Sequence, residues 1–263
     1  MYLARTFADT QVNLALEMFL RMIAGLLRER LVSVVLYGSI VFDDLAPGYG
    51  DLDFLAVVSQ DLSRDECQEL VELRRPLRSR AYGVVATMIE GAFLPLHMLD
   101  PARVGSALWW GTSGERTWTR NELGWLVLHS IRERGVVAWG EDIRNCIPQA
   151  SRSALLEDVQ RACETMRAHG RGGSLHSVDW LLTAARLLLW LRQGRLCSKS
   201  EAAEWGRAHA RGAWRELLPR AKEMRLDPAL AEPPEAQRWL EALTGPIQEA
   251  CDELAHEPVL SRR

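Results

Sequence analysis

The feature that most constrains the fold is a pair of apolar runs that enclose a polar segment. The runs "LVSVVLYG" (residues 31–38) and "DLDFLAVVS" (residues 51–59) are rich in β-branched residues and have the length of strands. Between them lie turn-forming residues that include Gly48 and Gly50, a composition that is typical of a loop. The two runs are therefore predicted to be neighbouring strands of one sheet.

Two acids open the second run. Asp51 and Asp53 are spaced so that both point to one face of a strand, and two close carboxylates repel each other unless something neutralises them. Mg²⁺ commonly binds one or two carboxylates together with substrate phosphates. The pair is predicted to bind such an ion, with Leu52 pointing into the core. If the pair stood alone in the sequence, the better interpretation would be that Asp51 and Asp53 are ordinary acids at the edge of a loop and bind no metal.

The residues around the acids favour the metal. Gly38 and Ser39 end the first run, and a helix beginning there would offer free backbone N–H groups to a phosphate that only glycine allows to come close. Residues 82–91 are predicted to form a third strand that ends at Glu90, a third acid. A simple Gly-Ser turn remains the alternative, but the combination predicts a metal and phosphate site.

Helical periodicity defines the rest of the chain. Helices are predicted at residues 10–30 and 61–80, where Pro76 should end or kink the second, and residues 121–143 predict a helix and a short strand. From residue 151 the pattern is helical: 151–168, 175–193, 199–211, 214–224 and 235–255. The predicted fold class is α+β, with a mixed-sheet domain over 1–148 and an all-helical bundle domain over 149–263.

Composition excludes several kinds of partner. A net charge of −3, from 32 basic and 35 acidic residues, gives no broad positive field for a nucleic acid. The five cysteines are scattered without a C-x-x-C pair, so neither a disulfide framework nor a zinc site is indicated. Asp9 and Glu17 interrupt any signal-peptide pattern at the N-terminus. The most apolar later run contains Asp179 and Arg186, which argues against a membrane span. We expect a cytoplasmic monomer that binds neither nucleic acid nor a membrane.

Several motifs match a known family. The stretch from "YGS" to "GDLD" resembles the signature of the DNA polymerase β-like nucleotidyltransferase superfamily. Two further stretches, "LHSIRERGVVAWGEDI" (128–143) and "WLLTAARLLLWLRQGRLCSKSEAAEW" (180–205), are similar to segments of the aminoglycoside (3'')(9) adenylyltransferases. The resemblance implies a nucleotidyltransferase domain, a helical domain and Mg²⁺-dependent transfer of AMP from ATP to a hydroxyl of a streptomycin- or spectinomycin-class antibiotic.

The resemblance also implies roles for residues of the first domain. Asp51 and Asp53 become metal ligands, Ser39 becomes a phosphate contact beside Gly38, and Glu90 becomes the catalytic base. As the base, Glu90 would accept the proton of the attacking hydroxyl.

In the helical domain, the resemblance implies that Arg186 and Lys199 contact the phosphates of ATP. The chain has 30 Arg and only two Lys, so a lysine at position 199 stands out, although a solvated helix start is the alternative. Arg186 lies in an apolar run where an unpaired charge would be costly. Its anionic partner is either a bound phosphate or Asp179, two turns earlier on the same helix face.

The acceptor site is the least defined part. Trp109, Trp110 and Trp118 lie where the resemblance implies an aromatic wall for the antibiotic, although at least one of them is expected to be a core residue. His176 and Asp179 are candidates for acceptor contacts, in a segment that departs from the family pattern. The alternatives are a different small hydroxylated acceptor, a protein side chain, or a catalytically silent nucleotide-binding module.

Overall fold

The structure is a computed structural model that describes residues 3–46, 48–111 and 113–261. The chain divides into two compact units, Met1–Ala150 and Ser151–Arg263. The first unit contains all the strands of the described residues, and the second is helical.

The N-terminal unit is built on a six-stranded sheet, counted over the described residues, with the order β5-β4-β3-β2-β1-β6. β2 and β3 run parallel, and every other neighbouring pair is antiparallel, so the sheet is mixed as predicted. The strands are β1 (Leu31–Tyr37), β2 (Leu52–Val58), β3 (Ile89–Pro95), β4 (Val104–Gly111), β5 (Gly114–Arg120) and β6 (Val136–Gly140).

The α-helices that flank this sheet, among the described residues, are α1 (Thr10–Leu27), α2 (Arg64–Arg78) and α3 (Trp125–Arg134). The start of α2 is fixed by a capping box, in which Ser63 and Glu66 each accept a hydrogen bond from the other's backbone N–H. Pro76 lies in the last turn of α2, and the helix ends two residues later. The predicted helices therefore form, and Pro76 ends α2 rather than kinking its middle.

The predicted strand over residues 82–91 is wrong in its position. Val85–Met88 form a short 3₁₀ helix, and β3 begins only at Ile89. The reason is pairing: Ile89 lies opposite Leu52, the first residue of β2, so upstream of it β2 offers no partner. The chain curls there instead and buries Ala86 and Met88. Glu90 consequently lies at the start of a strand, not at its end.

Each face of the sheet has its own core. The face that α1 and α2 cover carries an aromatic cluster formed by Phe19, Phe54, Phe93 and Trp110. By length and composition α1 would also pass as a membrane-spanning helix, but its apolar side packs into this core through Val12, Leu16, Phe19, Leu20 and Ile23. The opposite face, which includes Val35, Leu55 and Ala92, packs with residues of α3.

The C-terminal unit is all-helical, which confirms the predicted fold class. Its described helices are α4 (Arg152–His169), α5 (His176–Gln193), α6 (Lys199–His209), α7 (Leu218–Leu226), α8 (Pro234–Glu241), α9 (Thr244–Ala255) and α10 (Pro258–Ser261). Two predicted helices are divided: residues 214–224 become a 3₁₀ turn followed by α7, and residues 235–255 become α8 and α9. α5 lies at the centre of this unit's core, with eleven of its 18 residues buried.

Candidate active site

The first group of site residues forms where β1 ends. Gly38 begins a 3₁₀ helix (Gly38–Phe42) with φ at +73°, a conformation that glycine adopts without strain. A Cβ atom at this position would lie 1.9 Å from Oδ2 of Asp53. The glycine is therefore required twice, for its backbone angle and for the approach of the Asp53 carboxylate. Ser39 follows in the first turn of the same 3₁₀ helix.

Three polar residues form a row across neighbouring strands. Tyr37 at the end of β1 lies opposite Asp53 of β2, and Asp53 lies opposite Glu90 of β3. Residues in register on adjacent strands point to the same face, so these three side chains share the face whose apolar part is the α3 core. Leu52 is fully buried in the opposite core, as predicted. The register thus places the candidate base directly beside a candidate metal ligand.

The charges of the site act on Tyr37. Burial raises the pKa of its hydroxyl well above the ordinary value, and the carboxylates of Asp53, Glu90 and Asp51 raise it further. All three acids are therefore close enough to act on one hydroxyl. Asp51 is exposed, just before β2, while Asp53 and Glu90 are partly buried. Tyr37 remains protonated at neutral pH, and its O–H is available as a hydrogen-bond donor beside the acids.

The acids fit a metal bound together with a nucleotide. Across residues 3–46, 48–111 and 113–261, no three His, Cys, Asp or Glu side chains form a group that could hold a metal. The predicted ligands are only two, Asp51 and Asp53, and Mg²⁺ completes such a shell with phosphate oxygens and water. The oxygen donors of Asp51 and Asp53 fit an ion that arrives with a nucleotide, and Gly38 lets the Asp53 carboxylate lie against the backbone at the end of β1.

The tryptophans of β4 separate into two environments. Trp109 is partly buried, lies next to Ala92 of β3 and stacks on Trp118 with ring centroids 5.2 Å apart. It therefore lies on the same face of the sheet as Asp53 and Glu90. Trp110 points to the other face and is fully buried in the aromatic core. Trp110 is thus a core residue, which corrects the prediction that it contacts the acceptor.

A second polar cluster lies within the C-terminal unit, on α5. Oδ1 of Asp179 accepts a hydrogen bond from Nζ of Lys199 at 2.6 Å and lies 3.5 Å from Nε of Arg225. Lys199 is the first residue of α6, and Ser198 caps that helix. Its side chain is 22% exposed and ion-paired, so it is not a fully solvated residue at a helix start.

Three basic groups meet in this cluster. Burial lowers the pKa of Lys199, and the nearby guanidinium groups of Arg186 and Arg225 lower it further, while Asp179 raises it. Arg186 is partly buried on α5, two turns after Asp179. His176, the first residue of α5, is exposed. The three basic groups Lys199, Arg186 and Arg225 thus lie in one cluster with the carboxylate of Asp179.

Sequence reasoning missed two residues of these clusters. Tyr37 directly precedes Gly38. Side chains alternate between the two faces along β1, so Tyr37 lies on the same face as Val35, and its place beside the acids could have been predicted from the sequence. Arg225 carries no such signal, since it is one arginine among 30 and lies 46 residues from the carboxylate that it faces.

The chain is similar to known proteins in one domain and in its fold. Residues 145–250 match the family model described as aminoglycoside adenylyltransferase, C-terminal domain. The fold is similar to a crystal structure of spectinomycin adenyltransferase AAD(9) from Enterococcus faecialis with ATP and spectinomycin. That similarity has a TM-score of 0.72 at 18% identity and covers 91% of this chain and 98% of the other. No curated protein sequence matches the chain.

The fold and the matched domain define the class of protein, an enzyme of the nucleotidyltransferase class. Within that class, residues 145–250 match the C-terminal domain of the aminoglycoside adenylyltransferases. The resemblance found in the sequence motifs is thereby confirmed.

Proposed function

We propose that this protein transfers AMP from Mg-ATP to a hydroxyl group of an aminoglycoside or aminocyclitol antibiotic and releases pyrophosphate. One observation carries the proposal: Asp53 and Glu90 lie opposite each other on parallel strands, directly beside the glycine that begins the 3₁₀ helix. This arrangement supports the proposal, because an in-line transfer of a nucleotidyl group needs a metal ligand, a base and a phosphate contact close together.

In the N-terminal unit, the proposal assigns each polar residue one task. Asp51 and Asp53 hold the metal, and Ser39 contacts a phosphate at the start of the 3₁₀ helix that Gly38 begins. When bound, Mg²⁺ supplies positive charge that stabilises the attacking and leaving oxygens. Glu90 accepts the proton of the acceptor hydroxyl while that oxygen bonds to the α-phosphorus. The bond from the α-phosphorus to the bridging oxygen breaks, and pyrophosphate leaves with the electron pair.

In the C-terminal unit, the proposal assigns phosphate binding to Arg186 and Lys199. Both are cationic, partly buried and close to each other, so that bringing an anion to them relieves their mutual repulsion. A guanidinium can bind two phosphate oxygens at once, whereas an ammonium acts as a compact point charge.

For the acceptor, the proposal retains Trp109 and His176. Trp109 is partly buried on the sheet face that carries Glu90, and His176 is exposed at the start of α5. The similar AAD(9) structure contains spectinomycin, which favours an aminocyclitol as the first acceptor to test. An aromatic face beside carboxylates suits a cationic, hydroxylated molecule.

The proposal includes a cytoplasmic location. All five cysteines are free thiols, and four of them are buried. Free thiols are typical of proteins in a reducing compartment.

The variant Glu90→Gln tests the mechanism. It should bind Mg-ATP as the wild type does, since the carboxylate lies outside the proposed metal ligands, and it should lose AMP transfer by at least about 100-fold, the lower range for a general base. Calorimetry measures the binding, and mass detection of the AMP adduct measures transfer. Glu122→Gln, which changes an exposed acid of the same unit, serves as the matched control.

Full transfer activity in Glu90→Gln would remove Glu90 from the mechanism. Growth of a susceptible strain that expresses the wild type, on streptomycin and on spectinomycin, identifies the acceptor. An AMP adduct on another hydroxylated molecule would change the acceptor and keep the enzyme class. Mg-ATP binding without pyrophosphate release under any acceptor would contradict the transfer reaction and indicate a silent nucleotide-binding module.

A further inference from the structure

Asp179 lies between charged groups of three helices. It belongs to α5, and its Oδ1 atom lies 2.6 Å from the ammonium of Lys199 at the start of α6 and 3.5 Å from Nε of Arg225 near the end of α7. The carboxylate is 20% exposed, and Arg225 is 2% exposed. The side chain therefore joins α6 and α7 to α5 from within the C-terminal unit.

The electrostatics of this cluster depend on the carboxylate. A guanidinium as buried as that of Arg225 is stable only beside an anion, because its desolvation is costly. The charged form of Lys199 is also disfavoured, because burial and the charges of Arg186 and Arg225 lower the pKa of its ammonium. Asp179 opposes that effect and favours the charged form of Lys199. On α6 itself, Glu201 pairs with Arg195.

We propose that Asp179 is a positioning residue for phosphate binding, which holds the ammonium of Lys199 in place and in its charged form, while Arg225 fixes Asp179. The inference rests on the proposed function in one respect, the contact of Lys199 with the phosphates of ATP. It takes Asp179 out of the acceptor site, for which it was a candidate in a segment that departs from the family pattern, and adds Arg225 to the residues that prepare the phosphate site.

The hydrogen-bonding capacity of lysine is consistent with this role. An ammonium has three donors, and one of them is directed to Asp179, which leaves two for phosphate oxygens. The side chain of Lys199 is 22% exposed, so those donors remain accessible. Arg225 is too deeply buried to reach a nucleotide in this structure, so its influence passes through Asp179.

The test measures the Kd of Mg-ATP by calorimetry between about pH 6.5 and 9.5. In Asp179→Asn the pKa of Lys199 should fall further, because the neighbouring guanidinium groups remain and the carboxylate is gone. We expect binding roughly fivefold weaker or more at pH 7, with a loss that grows as the pH rises and the ammonium deprotonates. The wild type should show a flatter profile over the same range.

The double variant Asp179→Asn/Lys199→Arg separates charge from packing. A guanidinium stays protonated throughout this pH range, so the double variant should lose the additional pH dependence. Asp179→Glu keeps the negative charge that Arg225 needs but displaces it, and it provides a measurement if Asp179→Asn does not fold. That variant should bind ATP more weakly with a flat profile, and thermal unfolding followed by circular dichroism reports the fold of each.

Several outcomes would overturn the inference. Unchanged ATP affinity in Asp179→Asn, together with weaker antibiotic binding, would return Asp179 to the acceptor site. Unchanged ATP affinity in Asp179→Glu, or additional pH dependence that persists with Lys199→Arg, would equally contradict it. If the expected ATP pattern appears but no AMP adduct forms, the proposed reaction fails while this inference stands. A wild type that binds no Mg-ATP would contradict both.

Discussion

At the scale of single residues, Gly38 decides whether the N-terminal site can form. Its positive φ lets the chain turn from β1 into the 3₁₀ helix, and its missing side chain lets the Asp53 carboxylate approach the backbone. Asp53 then lies in register with both Tyr37 and Glu90. Because the side chain of Gly38 is a hydrogen atom and not a methyl group, the Asp53 carboxylate can stay in the row with Tyr37 and Glu90.

The variant Gly38→Ala should lose Mg-ATP binding and AMP transfer by roughly 10- to 100-fold, the range for residues that orient metal ligands. The matched control is Gly83→Ala, because Gly83 also has a positive φ, but a Cβ atom there would meet none of the described residues within 4 Å. Both variants should lose about 1–2 kcal/mol of unfolding free energy from the backbone conformation alone. Calorimetry and thermal unfolding distinguish the two effects, and equal ATP affinity in both variants would contradict the role of Gly38.

At the scale of elements, buried charges fasten loops and hairpins to helices. Arg74 of α2, only 3% exposed, donates hydrogen bonds to the carbonyl of Gly111 and to Glu115, and so ties the β4–β5 hairpin to α2. In the C-terminal unit, Glu253 of α9 accepts hydrogen bonds from the backbone N–H of Gly212 and from the indole of Trp214. Each contact fixes an irregular segment through a single long side chain.

The variant Glu253→Gln should lower the free energy of unfolding by about 2–3 kcal/mol, because hydrogen bonds to a charged acceptor are the stronger kind. Burial raises the pKa of Glu253, but the N–H groups of Gly212 and Arg211, Trp214 and Arg192 lower it more, so that the net pKa lies below the ordinary value. A lowered folded-state pKa stabilises the protein above the unfolded pKa of about 4.3. That contribution is lost as the pH falls through the folded pKa.

Denaturant unfolding of wild type and Glu253→Gln at neutral and acidic pH measures this effect. The difference between the two proteins should be full at pH 7 and should shrink below about pH 4. The neighbouring change Asp252→Asn, in an ion pair that is mostly exposed, should alter stability little. A stability difference that is the same at both pH values would contradict the assigned charge.

At the scale of the whole molecule, the chain consists of a sheet unit and a helical unit, each with its own buried residues. In the helical unit, Leu188 of α5, Trp214 and Ile247 of α9 are fully buried. The family match lies almost entirely within this unit. A unit with its own core is expected to fold by itself.

The fragment Ser151–Arg263 should therefore give a helical circular dichroism spectrum and a cooperative thermal transition. Its Asp179→Asn form should melt at a lower temperature, because the buried guanidinium of Arg225 then loses the negative charge of a neighbouring carboxylate. The full-length chain is the reference for both. A fragment that shows no cooperative transition would indicate that the helical unit depends on the sheet unit for its stability.

The sequence by itself determined the elements that depend on local periodicity. β1, β2 and α1 follow from alternating or helical runs of apolar residues, and the change to helices near residue 151 follows from the same kind of pattern. The common face of Asp51 and Asp53 follows from their spacing alone, because side chains two residues apart on a strand point the same way. These features need only neighbours along the chain.

Only the tertiary structure decided which distant residues meet. Trp109 and Trp110 must point to opposite faces of β4, but the sequence does not say which face receives the aromatic core, because that depends on where α1 packs. The start of β3 was decided by the start of its parallel partner β2, and with it the position of Glu90 beside Asp53. Long-range pairing is a property of the packed chain, since it follows from burial and register rather than from local propensity.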